Sequence, residues 1–268
     1  MHNTAENPPL YRWKIFDPFS QAVNIGLTSR MGGYSSGVFS HFNQALHCGD
    51  IEQSVIKNRQ LLCGTEKIPF SRYTCAQQTH SGNIHRILPE DIGAGRNEYL
   101  SSIRNTDALI ITDRDIMINI HVADCVPIAV YDSEKKIGAL IHAGWKGTAQ
   151  LITLKTIRYM VESLNCHPLS LIAGIGPSID SCCFEIGEET ETIIKRSFHY
   201  SPEVISREKK TVRANLKRAN LEQLTEAGIP LSNIEISGIC TSCSNDNFYS
   251  YRADGGNTGR FAAFMILK

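Results

Sequence analysis

Apolar and polar positions change their period several times along the chain, and each change marks an element. Residues 22–27 alternate like a strand and run into the polar, glycine-rich stretch 29–37, which reads as a loop at a strand's end. From Ile51 to Cys63 the apolar residues Ile51, Val55, Ile56, Leu61 and Leu62 fall near helical spacing, with Asp50 ahead of them as an N-cap. The apolar runs 108–112 and 116–122 flank Asp113-Arg114-Asp115, the pattern of a tight strand connection. Runs 126–131 and 137–142 follow, joined by the charged turn 132–136, so the centre of the chain is β-rich. After a break at Gly147, residues 148–164 carry Leu151, Leu154, Ile157, Met160 and Val161 at helical spacing, which places His142 just before a helix.

The second half continues the alternation. It predicts a strand at 170–175, helices at 188–196 and 216–227, and strands at 234–239 and 261–267. There is no internal repeat, low-complexity segment or long linker, so the expectation is one mixed α and β domain spanning residues 1–268.

Composition narrows the class of function. With 268 residues, 42% of them hydrophobic and 20% charged, the chain can bury one large core. Lys plus Arg equals Asp plus Glu at 27 each and neither sign forms a long run, which is not the footprint of a nucleic-acid binder. A small-molecule substrate is the default. The most apolar window, 116–131, is interrupted by Asp124 and Pro127 and is shorter than the roughly 20 residues a membrane helix needs, so no membrane partner is expected. The N-terminal stretch MHNTAENPPLYRWKIF has no basic start leading into an apolar run, which points to a cytoplasmic protein. Nine cysteines, an odd number diluted in a long chain, suit metal binding or nucleophilic chemistry better than a disulfide scaffold, and most should pack as small hydrophobes.

Zinc catalysis needs three His, Cys or carboxylate ligands and an open fourth position. His80, Cys125 and His142 meet that need by their settings rather than their spacing. His80 lies in Gln77-Gln78-Thr79-His80-Ser81-Gly82, Cys125 in Ala123-Asp124-Cys125-Val126-Pro127, and His142 in His142-Ala143-Gly144-Trp145-Lys146-Gly147. The first is a polar stretch ending in glycine, like the rim of a site, the second a break in a run of strand-forming residues, and the third a run of small residues just after a strand. Taken singly, each histidine is more often an ordinary hydrogen-bonded residue, and His85, His121 and His47-Cys48 compete for the same role. Cys240-Thr241-Ser242-Cys243 and the vicinal Cys182-Cys183 raise a structural zinc or a redox dithiol, against which stands the difficulty of two adjacent cysteines reaching one ion. Cys125 could also be a thiolate nucleophile with His80 or His142 as its base. Arg30, Lys146, Arg252 and Arg260 lie in loop-like, glycine-neighboured settings where they could hold an oxyanion or simply be solvated. The glycines near Arg30 lack the Gly-Lys-Ser/Thr ending of a nucleotide P-loop.

Five segments in this order resemble the YfiH-like family, the laccase-domain purine nucleoside phosphorylases formerly labelled multicopper polyphenol oxidases. They are Thr28-Ser29-Arg30-Met31-Gly32-Gly33 with Asn43 and Cys48-Gly49-Asp50; Gln78-Thr79-His80-Ser81-Gly82; Ala123-Asp124-Cys125-Val126-Pro127; and His142-Ala143-Gly144-Trp145-Lys146-Gly147. The fifth runs from Gly176-Pro177 through Glu185-Ile186-Gly187 and from Phe248-Tyr249-Ser250-Tyr251-Arg252 through Thr258-Gly259-Arg260.

The resemblance implies an α+β fold, a layered α/β/β/α domain with mixed sheets (CNF/YfiH-like), similar to Cys-His toxin deamidases. It implies a metal set of His80, Cys125 and His142, which would also be the catalytic residues, holding zinc with copper as the other candidate. It implies phosphorolysis of adenosine, inosine, guanosine and methylthioadenosine in a monomer or homodimer, with adenosine deamination as a second activity. For substrate binding it points to Arg30 for phosphate, Asn43 for the sugar or base, and Arg260. Glu185 or Asp124 would be the proton shuttle. The chain departs from the family pattern at Thr79, at the inserted Ser81, at Lys146 where arginine is usual, and at Cys243, an extra cysteine. Lysine cannot make a bidentate fork. A Cys-His hydrolase, a copper-dependent polyphenol oxidase and a cell-wall precursor editing factor remain as alternative readings.

Overall fold

Two central strands, Val126–Asp132 and Ile137–Ala143, are buried along their whole length on both faces. Strand residues alternate sides, so a run with no polar face needs a layer above and a layer below. The computed structural model, which describes residues 1–3 and 8–268, supplies both; residues 4–7, part of the stretch weighed as a leader, lie outside the described residues. Ala129, Tyr131 and Leu140 point into a core shared with a second sheet. Val126, Ile128, Val130, Ala139 and Ile141 point the other way, into a core roofed by helices.

The two strands form an antiparallel hairpin, with Asp132 opposite Ile137 and Val126 opposite Ala143. Asp132 closes the turn by accepting the Glu134 and Lys135 N–H groups at 2.9 and 3.0 Å. The hairpin sits in a six-stranded mixed sheet ordered Ile234–Ile236, Leu171–Ile175, Val126–Asp132, Ile137–Ala143, Ala108–Ile111, Ile84–Arg86. A second six-stranded sheet runs His2–Asn3, Leu10–Arg12, Val23–Thr28, Phe261–Leu267, Met117–Val122, Tyr73–Cys75. Ile25, Ile118, Ile120, Phe261 and Met265 of this sheet meet Leu109, Ile111, Tyr131 and Leu140 of the first to form the interlayer core.

Helices cover the outer faces. Ile152–Leu164, Glu188–Ser197 and Leu216–Glu226 contribute Ile157, Met160, Ile194, Leu216 and Leu224 to the core over the hairpin sheet. Leu62 and Cys63 of the helix Glu52–Thr65 pack on Leu10, Met117 and Phe264 behind the other sheet. The layering is therefore α/β/β/α, as the resemblance implied, with a small third antiparallel sheet of Glu185–Ile186, Thr211–Ala214 and Ile205–Glu208. Among the described residues, no helix is long and apolar enough to cross a membrane.

Three local expectations change. Strands Ala108–Ile111 and Met117–Val122 do not pair as a hairpin; they belong to different sheets. Each has both faces buried, so the Asp113-Arg114-Asp115 link steps between layers, with Asp115 at φ 58° and its N–H donated to the Leu267 carbonyl at 2.9 Å. In place of one helix over 148–164 there are two, Trp145–Ala149 and Ile152–Leu164, separated by Leu151 at φ 61°, and Gly147 lies inside the first helix. Asp50 does not cap the helix that follows. Ile51 is the N-cap, without a side-chain cap bond, and the Asp50 carboxylate accepts from Ser35 Oγ at 2.6 Å and Asn43 Nδ2 at 2.9 Å.

Candidate functional site

The chain passes from one sheet to the other between Val122 and Val126, and Cys125 sits at that crossing. Asp124, just before it, adopts φ 81°, a left-handed conformation that costs a non-glycine residue of order 1 kcal/mol. Three contacts hold it there. Its carboxylate accepts from Thr241 Oγ1 and the Arg252 N–H, both at 2.7 Å, and its carbonyl accepts the Ile179 N–H at 2.9 Å. His142 lies near the end of the adjacent strand, buried, and His80 lies in the loop after Tyr73–Cys75, also in a left-handed conformation at φ 59°. The donor atoms of His80, Cys125 and His142 all fall within 4.8 Å of one another.

Asp107, which sequence reasoning did not single out, organises this cluster. It is 1% exposed and stands just before the strand Ala108–Ile111. Its Oδ1 pairs with His142 Nδ1 at 2.8 Å and accepts the His80 N–H at 3.0 Å. Its Oδ2 accepts the Ser81 N–H and hydroxyl, both at 2.7 Å. The inserted Ser81 is thus part of the clamp that shapes the His80 loop. Gln150, exposed at the break between the two helices, completes the clamp from the solvent side by donating to the His80 carbonyl at 3.1 Å and accepting the Gly82 N–H at 3.0 Å.

These contacts set the charge state. Burial opposes ionisation of Asp107, but the hydrogen bond and charge of His142 and the donors of Ser81 outweigh it, and its pKa falls to about 2. Burial also opposes a thiolate at Cys125, yet the charge of His142 and hydrogen bonds from His142 and His80 bring its pKa down to about 6. Burial disfavours an imidazolium at His142, and the Cys125 thiolate with the Asp107 carboxylate reverses that, raising it to about 9. Gly144 makes room for the pair: a Cβ there would stand 2.9 Å from both Cys125 Sγ and His80 Cδ2, closer than real Cβ contacts.

The cluster opens onto a cleft of 530 Å³ walled by Trp145, Phe184 and Tyr251 and flanked by Lys146, Arg252 and Arg260. Arg260 lies over the Tyr251 ring at 5.6 Å and Arg252 over Phe184 at 5.5 Å. His47 and His121 line the same cleft, both kept neutral, mainly by burial and then by nearby guanidinium charge, with His47 pushed down to about 4. His121 pairs through Nε2 with the Tyr73 hydroxyl at 2.8 Å and stands outside the three-donor group. His85 pairs with Asp91 at 2.7 Å, away from the cleft.

Arg30 and Asn43, expected at the substrate, are not cleft-lining residues. Arg30 donates to the Asn245 carbonyl at 2.7 Å and the Ser40 carbonyl at 3.2 Å, and its guanidinium lies over Tyr249. Fully buried Asn43 accepts the N–H groups of Ala45 at 3.1 Å and Arg260 at 2.8 Å. Both tie loops together. Gly33, near Arg30, serves packing too, since a Cβ on it would lie 2.3 Å from the His41 carbonyl oxygen. Of the two shuttle candidates, Asp124 lines the cleft with both carboxylate oxygens engaged, and Glu185 lies outside the cleft lining with its carbonyl accepting from Arg252 at 3.0 Å.

Comparison with known proteins bears on this arrangement. The family model described as "Multi-copper polyphenol oxidoreductase laccase" matches residues 24–268. "Purine nucleoside phosphorylase YlmD" of Bacillus subtilis is 30% identical over 96% of this chain and 92% of its own length, and its namesake from Geobacillus stearothermophilus is 33% identical over 92% and 91%. The crystal structure of Bacillus licheniformis hypothetical protein YfiH superposes with a TM-score of 0.94 at 32% identity, covering 99% of both chains. The crystal structure of YlmD from Geobacillus stearothermophilus gives 0.93 at 30% identity, covering 100% of this chain and 98% of that one. With the family model spanning the whole cleft and near-full-length relatives sharing its fold, the chain belongs to the laccase-domain, YfiH-like family.

Proposed function

We propose that the protein is a zinc-dependent purine nucleoside phosphorylase, acting on adenosine, inosine, guanosine and methylthioadenosine, with adenosine deamination as a second activity. The observation that carries this reading is a His80, Cys125 and His142 donor group opening onto an aromatic cleft flanked by two arginines. Relatives that share nearly the whole chain are named purine nucleoside phosphorylases, including one from Bacteroides thetaiotaomicron at 32% identity.

The donor group fits a metal ion. Two imidazoles and a thiol with a lowered pKa match the soft, three-ligand set of catalytic zinc. The Asp107 contact occupies His142 Nδ1 and leaves Nε2 for the ion, a common way to orient a ligating histidine. When bound, zinc supplies a Lewis acid with an open coordination position. Multicopper oxidation calls for several linked copper sites, and the cleft offers one three-donor group.

The chain's own residues account for the rest of phosphorolysis. A phosphate oxygen must bond to the ribose anomeric carbon as the carbon–nitrogen bond to the purine breaks and its electron pair leaves with the base. Arg252 and Arg260 would hold the phosphate and neutralise it, the role first expected of Arg30. Trp145, Phe184 and Tyr251 would bracket the purine and exclude water from the anomeric carbon. Neutral His47 and His121 can hydrogen-bond substrate without adding charge.

The test is product analysis of metal-quantified protein incubated with adenosine, with and without phosphate. Phosphate-dependent adenine and ribose 1-phosphate, lost in His80→Ala and Cys125→Ala, support the proposal. Intact adenosine with a full metal complement overturns it. A second reading is favoured by the order Cys125, His142, Asp107, which is also the thiol, imidazole and carboxylate order of a cysteine hydrolase. Alkylation abolishing activity in excess zinc would favour that reading, and chelators acting first would favour the metalloenzyme.

A further inference from the structure

Outside the cleft, four cysteines far apart in sequence converge on one point. We propose that Cys182, Cys183, Cys240 and Cys243 form a second metal site, a mononuclear tetrathiolate that takes zinc and fastens the turn after Asp180 to the turn after Cys240.

The sulfur spacing carries the argument. Cys182 and Cys183 lie 3.7 Å apart, Cys182 and Cys243 3.7 Å, and Cys183 and Cys243 3.4 Å, and all four sulfurs fall within 4.8 Å of one another. A zinc–sulfur bond of about 2.3 Å in a tetrahedron puts its sulfurs about 3.8 Å apart. A disulfide would need about 2.05 Å, and all nine cysteines are free thiols. The observed spacing is that of ligands around one ion.

The backbone is shaped for the same purpose. Adjacent cysteines rarely reach one ion, but the N–H groups of Cys183 and Phe184 both donate to the Asp180 carbonyl at 2.9 Å, and this tight turn brings both sulfurs to the same side. In the Cys240-Thr241-Ser242-Cys243 turn, the Ser244 N–H donates to the Cys240 carbonyl at 2.9 Å. The Asp180 N–H approaches Cys240 Sγ at 3.4 Å and the Cys243 N–H also donates to it, so the most buried sulfur already has two donors suited to a thiolate. Cys182 and Cys243 are exposed, which leaves the cluster open to incoming metal from one flank.

Such a site would brace the cleft wall. Ile179 and Phe184 line the cleft on either side of the first turn, and Arg252 donates to the carbonyls of Cys183 and Glu185, both at 3.0 Å. The role is structural: four thiolates fill a tetrahedral ion and leave no position for substrate.

The test is metal content per chain, measured by mass spectrometry on full-length protein purified under reducing conditions without chelator. The samples are the wild type, Cys182→Ser/Cys243→Ser and Cys125→Ala/His142→Ala. Two zinc ions are expected in the wild type and one in each double variant. The ion retained by Cys125→Ala/His142→Ala, exchanged for cobalt(II), should give the intense sulfur-to-metal absorption of a tetrathiolate. That variant needs no folding of a damaged cysteine cluster, so it reads the site even if the serine variant fails to fold. A Cys125→Ala/His142→Ala protein without metal, a metal other than zinc at the cysteines, or a disulfide among the four in the reduced preparation overturns the proposal. None of these readouts depends on phosphorolysis, so the two proposals fail independently.

Discussion

Asp107 Oδ1 meets His142 Nδ1 at 2.8 Å, and the same carboxylate gathers the N–H groups of Thr79, His80 and Ser81. One buried side chain thus fixes the tautomer of one candidate ligand and the loop carrying another. Removing such an outer partner typically costs 10–100-fold in metal affinity. Asp107→Ala should weaken zinc binding at the cleft by about that factor in a competition titration with a chromogenic chelator. An unchanged affinity would mean that Asp107 serves the loop alone.

Both Arg30 and Arg260 donate to backbone carbonyls, and what separates them is that Arg260 lines the cleft and Arg30 does not. Arg30→Ala should leave the phosphate KM unchanged while lowering stability by about 1 kcal/mol in urea unfolding, the loss of hydrogen bonds to the half-buried Ser40 and Asn245 carbonyls. Arg260→Ala should raise the phosphate KM at least about tenfold, as expected for a lost charge-assisted contact worth roughly 1.5–3 kcal/mol. The reverse pattern would restore Arg30 as the phosphate ligand.

Gly144→Ala puts a methyl group against both Cys125 and His80. The strand beneath it is unaffected, so circular dichroism should match the wild type while the zinc occupancy of the cleft falls. Full occupancy in a folded Gly144→Ala protein would show that the donor group has slack.

Cys125 and His142 make a pH prediction for the metal-stripped protein. With the thiol near 6 and the imidazole near 9, the pair is thiolate and imidazolium between those values. Alkylation of Cys125 by iodoacetamide, followed at the peptide level, should rise through about pH 6 and level off above it. Protonation of the thiolate removes reactivity as pH falls below that midpoint. Re-added zinc should protect Cys125. A rate still climbing at pH 8 would mark an ordinary thiol.

Long apolar runs announced the strands of the hairpin and Phe261–Leu267 because burial on both faces leaves no polar position to confuse the pattern. Short strands such as Tyr73–Cys75 and Ile84–Arg86 carry too few residues to show a period, and they went unseen. Nor does local pattern say which sheet a strand joins, which is why 108–122 read as a hairpin. The three donors became a set through family resemblance, because segments far apart in sequence bring them together. Asp107 gave no signal: a single aspartate after Asn105-Thr106 looks like a turn residue until the strand order places it beneath His142. Arg30 reads as an oxyanion ligand from its setting because a glycine such as Gly33, which admits a neighbouring carbonyl, looks in sequence like one that admits a ligand.

The crossing of the chain at Cys125 has a thermodynamic side. His80 lies on the link from the edge strand Tyr73–Cys75 of one sheet to the edge strand Ile84–Arg86 of the other, Cys125 lies on a second such link, and His142 belongs to the hairpin sheet, so an ion held by the three would act as a rivet across two of the links that join the layers. Binding to the folded state alone stabilises it, by about 2.7 kcal/mol at a hundred times the dissociation constant. Linkage runs both ways: truncating Leu140 or Ile120, deep between the layers, should loosen the rivet as well as the core. Metal affinity in this protein would then be a gauge of how firmly its two sheets are pressed together.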